Sequence, residues 1–293
     1  MENISSVFEV AAGSVIGRDH LRPLGWKNNQ DGYAIRSSAD SIVAVVTDGC
    51  GSETKSEVGA AIGANLVAET IDRELHQLYL GVGRHLDLDR DEYAPISSLW
   101  SFWATVQNVV LDALWNLAGR MGARYRDTIF DHLLFTVNGV VLTRYRTTFF
   151  AIGDGVQILN GENIPLGPFA NNAPPYLAYT LLAKPGERDT ANSFLITKTV
   201  PAREVKSILI GTDGVEGLIA AQELTLPGRA ELVGPISQFW EDDRYFENPD
   251  AIRRRLALIN NEHQTIDWKK QTIERTVGRL PDDTTLIVIR RKH

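Results

Sequence analysis

The sequence predicts an α+β layered fold, with helices outside a largely antiparallel sheet core. Three observations predict it. Short β-branched apolar runs recur, as in SIVAVVT (41–47), KSILIGT (206–212) and TTLIVIR (284–290). Two long segments instead repeat apolar residues every three or four positions. The order is strand, two helices, many strands, two helices, strand, which suits sheets covered by helices.

Each element has its own signal. SIVAVVT is short, apolar and β-branched, as a buried strand should be. Ser56 to Tyr79 reads as a helix, with Val58, Ile62, Leu66, Ile71, Leu75 and Leu78 near one face. DLDRDEYAP (87–95) is a polar loop; Glu92 and Ser98 stand where a calcium loop needs glycine and glutamate. Pro95 opens a second helix to Met121, whose Ile96, Leu99, Trp103, Val106, Val110, Leu114 and Leu117 share a helical spacing. Trp100, Trp103 and Trp115 on this helix read as core.

HLLFTVNGVVLT (132–143), RTTFFAIGD (146–154) and VQILNGE (156–162) read as consecutive strands, and Asn160-Gly161 signals a tight turn. SFLITKT (193–199) and KSILIGT continue the series. Residues 221–249 are irregular and rich in acids and aromatics; we expect a flap or substrate-facing insertion there, within one domain spanning 1–293. Asp250 to Asn260 and Ile266 to Val277 read as helices, and TTLIVIR is a closing strand.

Composition narrows the function. The 293 residues are 43% hydrophobic and 23% charged, enough for a sizeable core. A net charge of −7 argues against a nucleic-acid partner, which would favour a basic face. Cys50 is the single cysteine, so no intrachain disulfide forms, which fits a reducing compartment. The start lacks the pattern of a signal peptide, and no apolar run is long enough for a membrane span. The expectation is a cytoplasmic protein with no membrane partner.

The chemistry lies in acids at strand ends. Asp31 (NNQDGYAI), Asp48 (VVTDGCGS), Asp213 (LIGTDGVEG) and Asp282 (LPDDTTLIVI) each border an apolar strand, and Asp154 (FFAIGDGVQ) has the same look. A single Asp-Gly is usually a plain turn. Several in one chain point to carboxylates that converge. Such groups repel, and hard divalent cations such as Mg²⁺ or Mn²⁺ relieve the repulsion through oxygen ligands. Two such ions can clamp a phosphate and acidify a water. Gly49 would let its carbonyl approach a metal, and Gly49 and Gly214 would tolerate unusual backbone angles. No G-x-x-x-x-G-K-[ST] loop occurs, and Ser56 stands where a cysteine-phosphatase loop starting at Cys50 needs arginine.

The ordered set NNQDGYAI (28–35), TDGCGS (47–52), AIGDGVQILNGE (151–162), GTDGVEG (211–217) and PDDTTLIVI (281–289) resembles the PP2C-type metal-dependent protein phosphatases. GSVIGRDHLRPLGWKNNQD (13–31) and NNAPPYLAY (171–179) look closest to a bacterial PP2C-like branch. The resemblance implies a four-layer αββα sandwich, two central mainly antiparallel β-sheets flanked by helices. It implies two Mg²⁺ or Mn²⁺ ions. Asp48 would bridge them, the Gly49 carbonyl would hold one, and Asp213 and Asp282 the other. Asp31 would act through a metal-bound water, and Asp154 would help hold a third, weaker ion. Hydrolysis would follow from direct attack of a metal-bridged hydroxide on a serine or threonine phosphate. The partner would be a phosphoprotein, such as a Ser/Thr kinase or its target.

Some positions depart from the family. Gln30 stands where many relatives have glutamate, and Trp26 where many have the arginine that grips phosphate. Lys27, Arg22, Arg18 and His20 are the candidates to replace that arginine. Cys50 occupies the position of a proposed general-acid histidine, and Gly155-Val156 replaces the usual Ser-Arg. The rival reading is a weak or inactive phosphoprotein sensor or scaffold on the same fold. The presence of Asp48, Asp213 and Asp282 favours an enzyme.

Overall fold

Apolar runs without a polar face need cover on both sides, and that requirement organises this fold. In the computed structural model, described residues are 3–21, 28–53, 55–81, 100–122, 124–169, 173–183 and 192–292. The first half runs α1 (Ile4–Val7), β1 (Phe8–Val15), β2 (Asp31–Ser37), β3 (Ser41–Asp48), α2 (Ser56–Gly81), α3 (Trp100–Met121), α4 (Tyr125–His132), β4 (Val137–Thr143) and β5 (Arg146–Ile152). The second runs β6 (Val156–Leu159), β7 (Glu162–Ile164), β8 (Leu195–Pro201), β9 (Ser207–Gly211), α5 (Gly214–Ala220), α6 (Gln238–Glu241), α7 (Arg244–Glu247), α8 (Ala251–Asn260), β10 (His263–Asp267), β11 (Thr272–Thr276) and β12 (Thr284–Arg291).

One five-stranded sheet has the order β1-β12-β9-β6-β7, and the other β2-β3-β4-β5-β8. All their pairings are antiparallel. The side-chain alternation of β3 explains the layering. Ile42, Ala44 and Val46 pack between the sheets against Ile208, Ile210 and Ile287. Val43 and Val45 point the other way, toward Ala64, Val67, Val106 and Val110 of α2 and α3. On the outer face of the first sheet, Leu209 and Val288 meet Leu218, Ile252 and Leu256 of α5 and α8. The result is the αββα sandwich. No helix among the described residues is long and apolar enough to cross a membrane.

Several elements differ from expectation. β1 and α4 carry too weak a periodic signal to be read from sequence. Strand β4 starts at Val137 because His132 closes α4. Helix α2 buries only part of its large-residue stripe: Ile71 and Leu75 are buried as expected, but in its first half Val58, Ile62 and Leu66 are only partly covered, while the small Ala60, Ala64 and Ala68 are buried. Small residues win because the helix lies close to the sheet. A Cβ on Gly32 would meet the Ala60 carbonyl at 2.7 Å. Residues 95–99 and the polar loop 87–95 lie outside the described residues. Of the three tryptophans, Trp103 is core, but Trp100 is 77% exposed and Trp115 is 51% exposed. Trp115 lies against Tyr125, with ring centroids 4.1 Å apart.

Residues 266–277 form no helix. They belong to the β10–β11 hairpin, with Ile266 paired to Ile273. Thr265, Ile266, Thr272, Ile273 and Thr276 are β-branched and favour strand. Asp267 Oδ1 accepts from the Lys269 and Lys270 amides at 3.0 and 3.1 Å, which reverses the chain. The expected Asn160-Gly161 turn joins β6 to β7, with φ of 53° and 86°. In the irregular segment 221–249, Leu226, Val233, Phe239 and Tyr245 are buried in the outer cluster of the first sheet.

A core deletion and a surface deletion should separate cleanly. Ile210→Ala, between the sheets, is expected to cost about 2–5 kcal/mol in urea denaturation. Trp268→Ala, at a hairpin position 81% exposed, should stay within about 0.5 kcal/mol. Similar losses for both would contradict this division of core and surface.

Candidate metal centre

Topology alone brings the acids together. Asp31 begins β2 and Asp48 ends the neighbouring antiparallel β3, and the two are direct Cα partners in the ladder. Asp213 follows β9, and Asp282 precedes its antiparallel neighbour β12. Asp154 lies in the turn by which the chain leaves β5 and enters β6 in the other sheet. Strand direction therefore gathers all five at one end of the sandwich.

Local chemistry then orients each one. Asp31 Oδ2 accepts from the Thr212 hydroxyl at 2.8 Å, a bond from one sheet to the other. Thr212 is itself fixed by the Thr285 amide, which donates to its hydroxyl at 3.1 Å. Asp213 stands at the N-cap of α5, yet its side chain makes no capping hydrogen bond. Asp154 sits between Gly153 (φ 94°) and Gly155 (φ 126°), angles that glycine alone adopts without strain. Gly49 and Gly214 do not have positive φ, contrary to expectation. Gly49 is needed for close approach: a Cβ there would meet the Gln30 carbonyl and the Ser56 hydroxyl, each at 2.8 Å.

The electrostatics match a cluster of like charges. Burial pushes Asp31 well above the usual carboxylate range, helped by Asp283 and Asp213 and opposed by the Thr285 and Thr212 hydroxyls. Burial does the same to Asp48, with the charges of Asp31, Asp213, Asp154 and Asp282 behind it. Asp213 is pushed up to about 7 by burial, then by Asp282 and Asp154, against the Gly214 amide. Asp154 is raised, chiefly by burial.

The neighbouring acid Asp283 was not singled out by sequence reading, although the doublet PDD contains it. Its carboxylate accepts from the Gly17 amide at 2.6 Å, the Gln30 amide at 2.5 Å and His20 Nδ1 at 2.9 Å. Burial nevertheless raises it. Asp283 thereby ties the segment before β2 to the start of β12. Thr212 was missed too; its place before Asp213 in GTDG was the available signal. His20, expected near substrate phosphate, is engaged by this acid pair, with Nε2 3.7 Å from Asp282 Oδ1. The other substrate candidates, Arg22 and Lys27, lie outside the described residues, as does Trp26. Arg18 turns away and donates to the Gly278 carbonyl at 2.7 Å.

These donors fit a hard divalent cation. They are oxygen-rich, mutually repelling and partly buried. His20, Asp282 and Asp283 can offer ligand atoms that all lie within 4.8 Å of one another. Gln30 Oε1 is buried without a partner beside the acids, while its Nε2 donates to Ser56 at 2.6 Å.

The raised carboxyls set the pH dependence of the metal-free protein. Each binds its proton more tightly in the folded state than at the unfolded value of about 3.9. Folding is therefore favoured at low pH, and this stability is lost as pH rises through the folded values. In EDTA, Tm should fall by several degrees from about pH 5 to about pH 8, and Mn²⁺ should recover it at the higher pH. A Tm in EDTA that climbs across that window would contradict the charge cluster.

Known proteins share this fold. The family model for Protein phosphatase 2C matches residues 16–254. No curated protein sequence gives a significant match. Among solved structures, a bacterial serine phosphatase variant has a TM-score of 0.51 at 13% identity, over 97% of this chain and 99% of its own. The serine/threonine phosphatase Stp1 from Staphylococcus aureus has a TM-score of 0.50 at 13% identity, over 100% of this chain and 98% of its own. Two helix-covered antiparallel sheets, acids gathered at their shared end and a family match over most of the sequence agree: the chain belongs to the protein phosphatase 2C family.

Proposed function

We propose that the chain is a Mg²⁺- or Mn²⁺-dependent protein phosphatase that removes phosphate from serine or threonine. The convergence of Asp31, Asp48, Asp154, Asp213 and Asp282, with Asp48 acted on by the charges of the other four, carries this reading. Asp48 and the Gly49 carbonyl would hold one ion, and Asp48, Asp213 and Asp282 the second, with Asp154 serving a weaker third. When bound, the ions would neutralise the acids and the phosphoryl oxygens and lower the pKa of a water.

The chain's own residues supply position and charge. Asp31, steadied by the Thr212 hydroxyl, is held to accept a hydrogen bond from water at the centre. Asp283 braces the strand starts on which Asp31 and Asp282 depend. The substrate would be a phosphoprotein, either a Ser/Thr kinase or the target of one. We assign the activity to the cytoplasm, on the single cysteine.

The test is hydrolysis of p-nitrophenyl phosphate and of a phosphothreonine peptide, with Mn²⁺, Mg²⁺ or EDTA. Asp48→Asn and Asp213→Asn should each lower the metal-dependent rate by at least about a hundredfold, since losing even the partners behind metal ligands costs tens-fold. A folded wild-type protein that binds Mn²⁺ in calorimetry but hydrolyses neither compound would favour the sensor or scaffold reading.

A further inference from the structure

Beside the acids lies a cavity of about 810 Å³. It starts where the metal turn ends, at Cys50, Gly51 and Ser52, and runs to Phe169, the prolines Pro174 and Pro175, and Tyr176 and Tyr179. We propose that this cavity is a substrate subsite that takes an aromatic side chain next to the phosphorylated residue of an extended peptide. The inference rests on the phosphatase reading and adds a substrate class to it.

Position is the first argument. Cys50 follows Asp48 by two residues, so a phosphate held at the acids lies one or two residues of extended chain from the cavity. Tyr176 links the two places. It lines the cavity together with Cys50, and the charges of Asp48 and Asp154 act on its hydroxyl. Its volume falls in the range of ligand-binding clefts.

The lining is the second argument. Tyr176 and Tyr179 stand edge to face, with centroids 5.4 Å apart and planes at 67°. Tyr179 is backed by Phe130, at 6.3 Å, so its ring is supported from behind. Rings and prolines give stiff, flat walls, and an incoming ring can meet them in offset or edge geometry that an aliphatic chain cannot use. Charge is the third argument. Among the described lining residues there is no cation to pair with an acidic neighbour, and an unpaired charge is costly to bury there. An aromatic neighbour is accepted on both counts.

The experiment uses phosphothreonine peptides of one length that carry Phe, Leu, Ala or Asp on either side of the phosphothreonine, with Mn²⁺. Each protein's p-nitrophenyl phosphate rate is its own reference. We expect Phe on one side to raise kcat/KM about tenfold over Ala, mainly through KM, with Asp the poorest. Tyr179→Ala should bring the Phe-to-Ala ratio toward one, Phe169→Ala should lower it, and Tyr179→Phe should keep it. Circular dichroism checks that each variant folds. A ratio near one in wild type with the reference rate intact, or equal gains from Leu and Phe, overturns the aromatic subsite. If no compound is hydrolysed, the phosphatase reading fails instead. The same peptides, labelled and followed by fluorescence anisotropy, then decide the subsite: tighter binding of the Phe peptide, lost in Tyr179→Ala, supports it, and equal binding overturns it.

Discussion

Mutual repulsion among carboxylates is the constraint on which the rest of the structure depends. A cluster of buried acids would separate or stay neutral unless the scaffold held it together. Here the acids come from both sheets, so the cluster exists only while the sheets stay packed. The apolar layer between them, Ile42, Ala44 and Val46 against Ile208, Ile210 and Ile287, thus serves the centre as well as the fold. The Thr212–Asp31 bond adds a direct link between the sheets at the charged end. Antiparallel pairing does the remaining positioning, because the end of one strand lies beside the start of the next.

That logic also explains what could be read from sequence. Strands covered on both faces become unbroken apolar runs, so β3, β9 and β12 announce themselves and so do the acids at their ends. Residues with mixed duties give weaker signals. Strand β1, FEVAAGSV, has a burial pattern that does not alternate cleanly, since it is an edge strand touched by α8. Helix α2 lies where its spacing puts it, with Ile71 and Leu75 in the core, but in its first half the large residues mark the rim and the alanines the contact. The β10–β11 hairpin differs from expectation because its residues are mostly exposed: periodicity reports burial, and in β10 and β11 there is little burial to report.

The candidate site was readable in the same uneven way. Five acids stood out because each interrupts an apolar run. Asp283 did not, since it shares a doublet with Asp282 and its role appears only when Gly17, Gln30 and His20 converge on it from the far end of the sequence. The aromatic cavity was equally hidden. Its walls come from segments more than a hundred residues apart, at Cys50 and at Phe169, Pro174, Pro175, Tyr176 and Tyr179, and no spacing rule joins them.

Two of the departures from the family pattern, at Gly155 and Cys50, are linked to shape. Gly155 has a φ of 126°, where the Cβ of another residue would lie 2.7 Å from the Gly211 carbonyl. A serine there, as in many relatives, would strain this backbone, so the turn that carries Asp154 and its glycine belong together. Cys50 is the smaller residue at a position where some relatives carry an imidazole. Its thiol lies 3.2 Å from the Ser52 hydroxyl, and it shares the cavity lining with Tyr176. A histidine is the larger side chain, so a cysteine leaves more room where Cys50 lines the cavity. The smaller side chain therefore leaves space between Asp48 and the aromatic walls, on the side where the peptide beside the phosphate would lie.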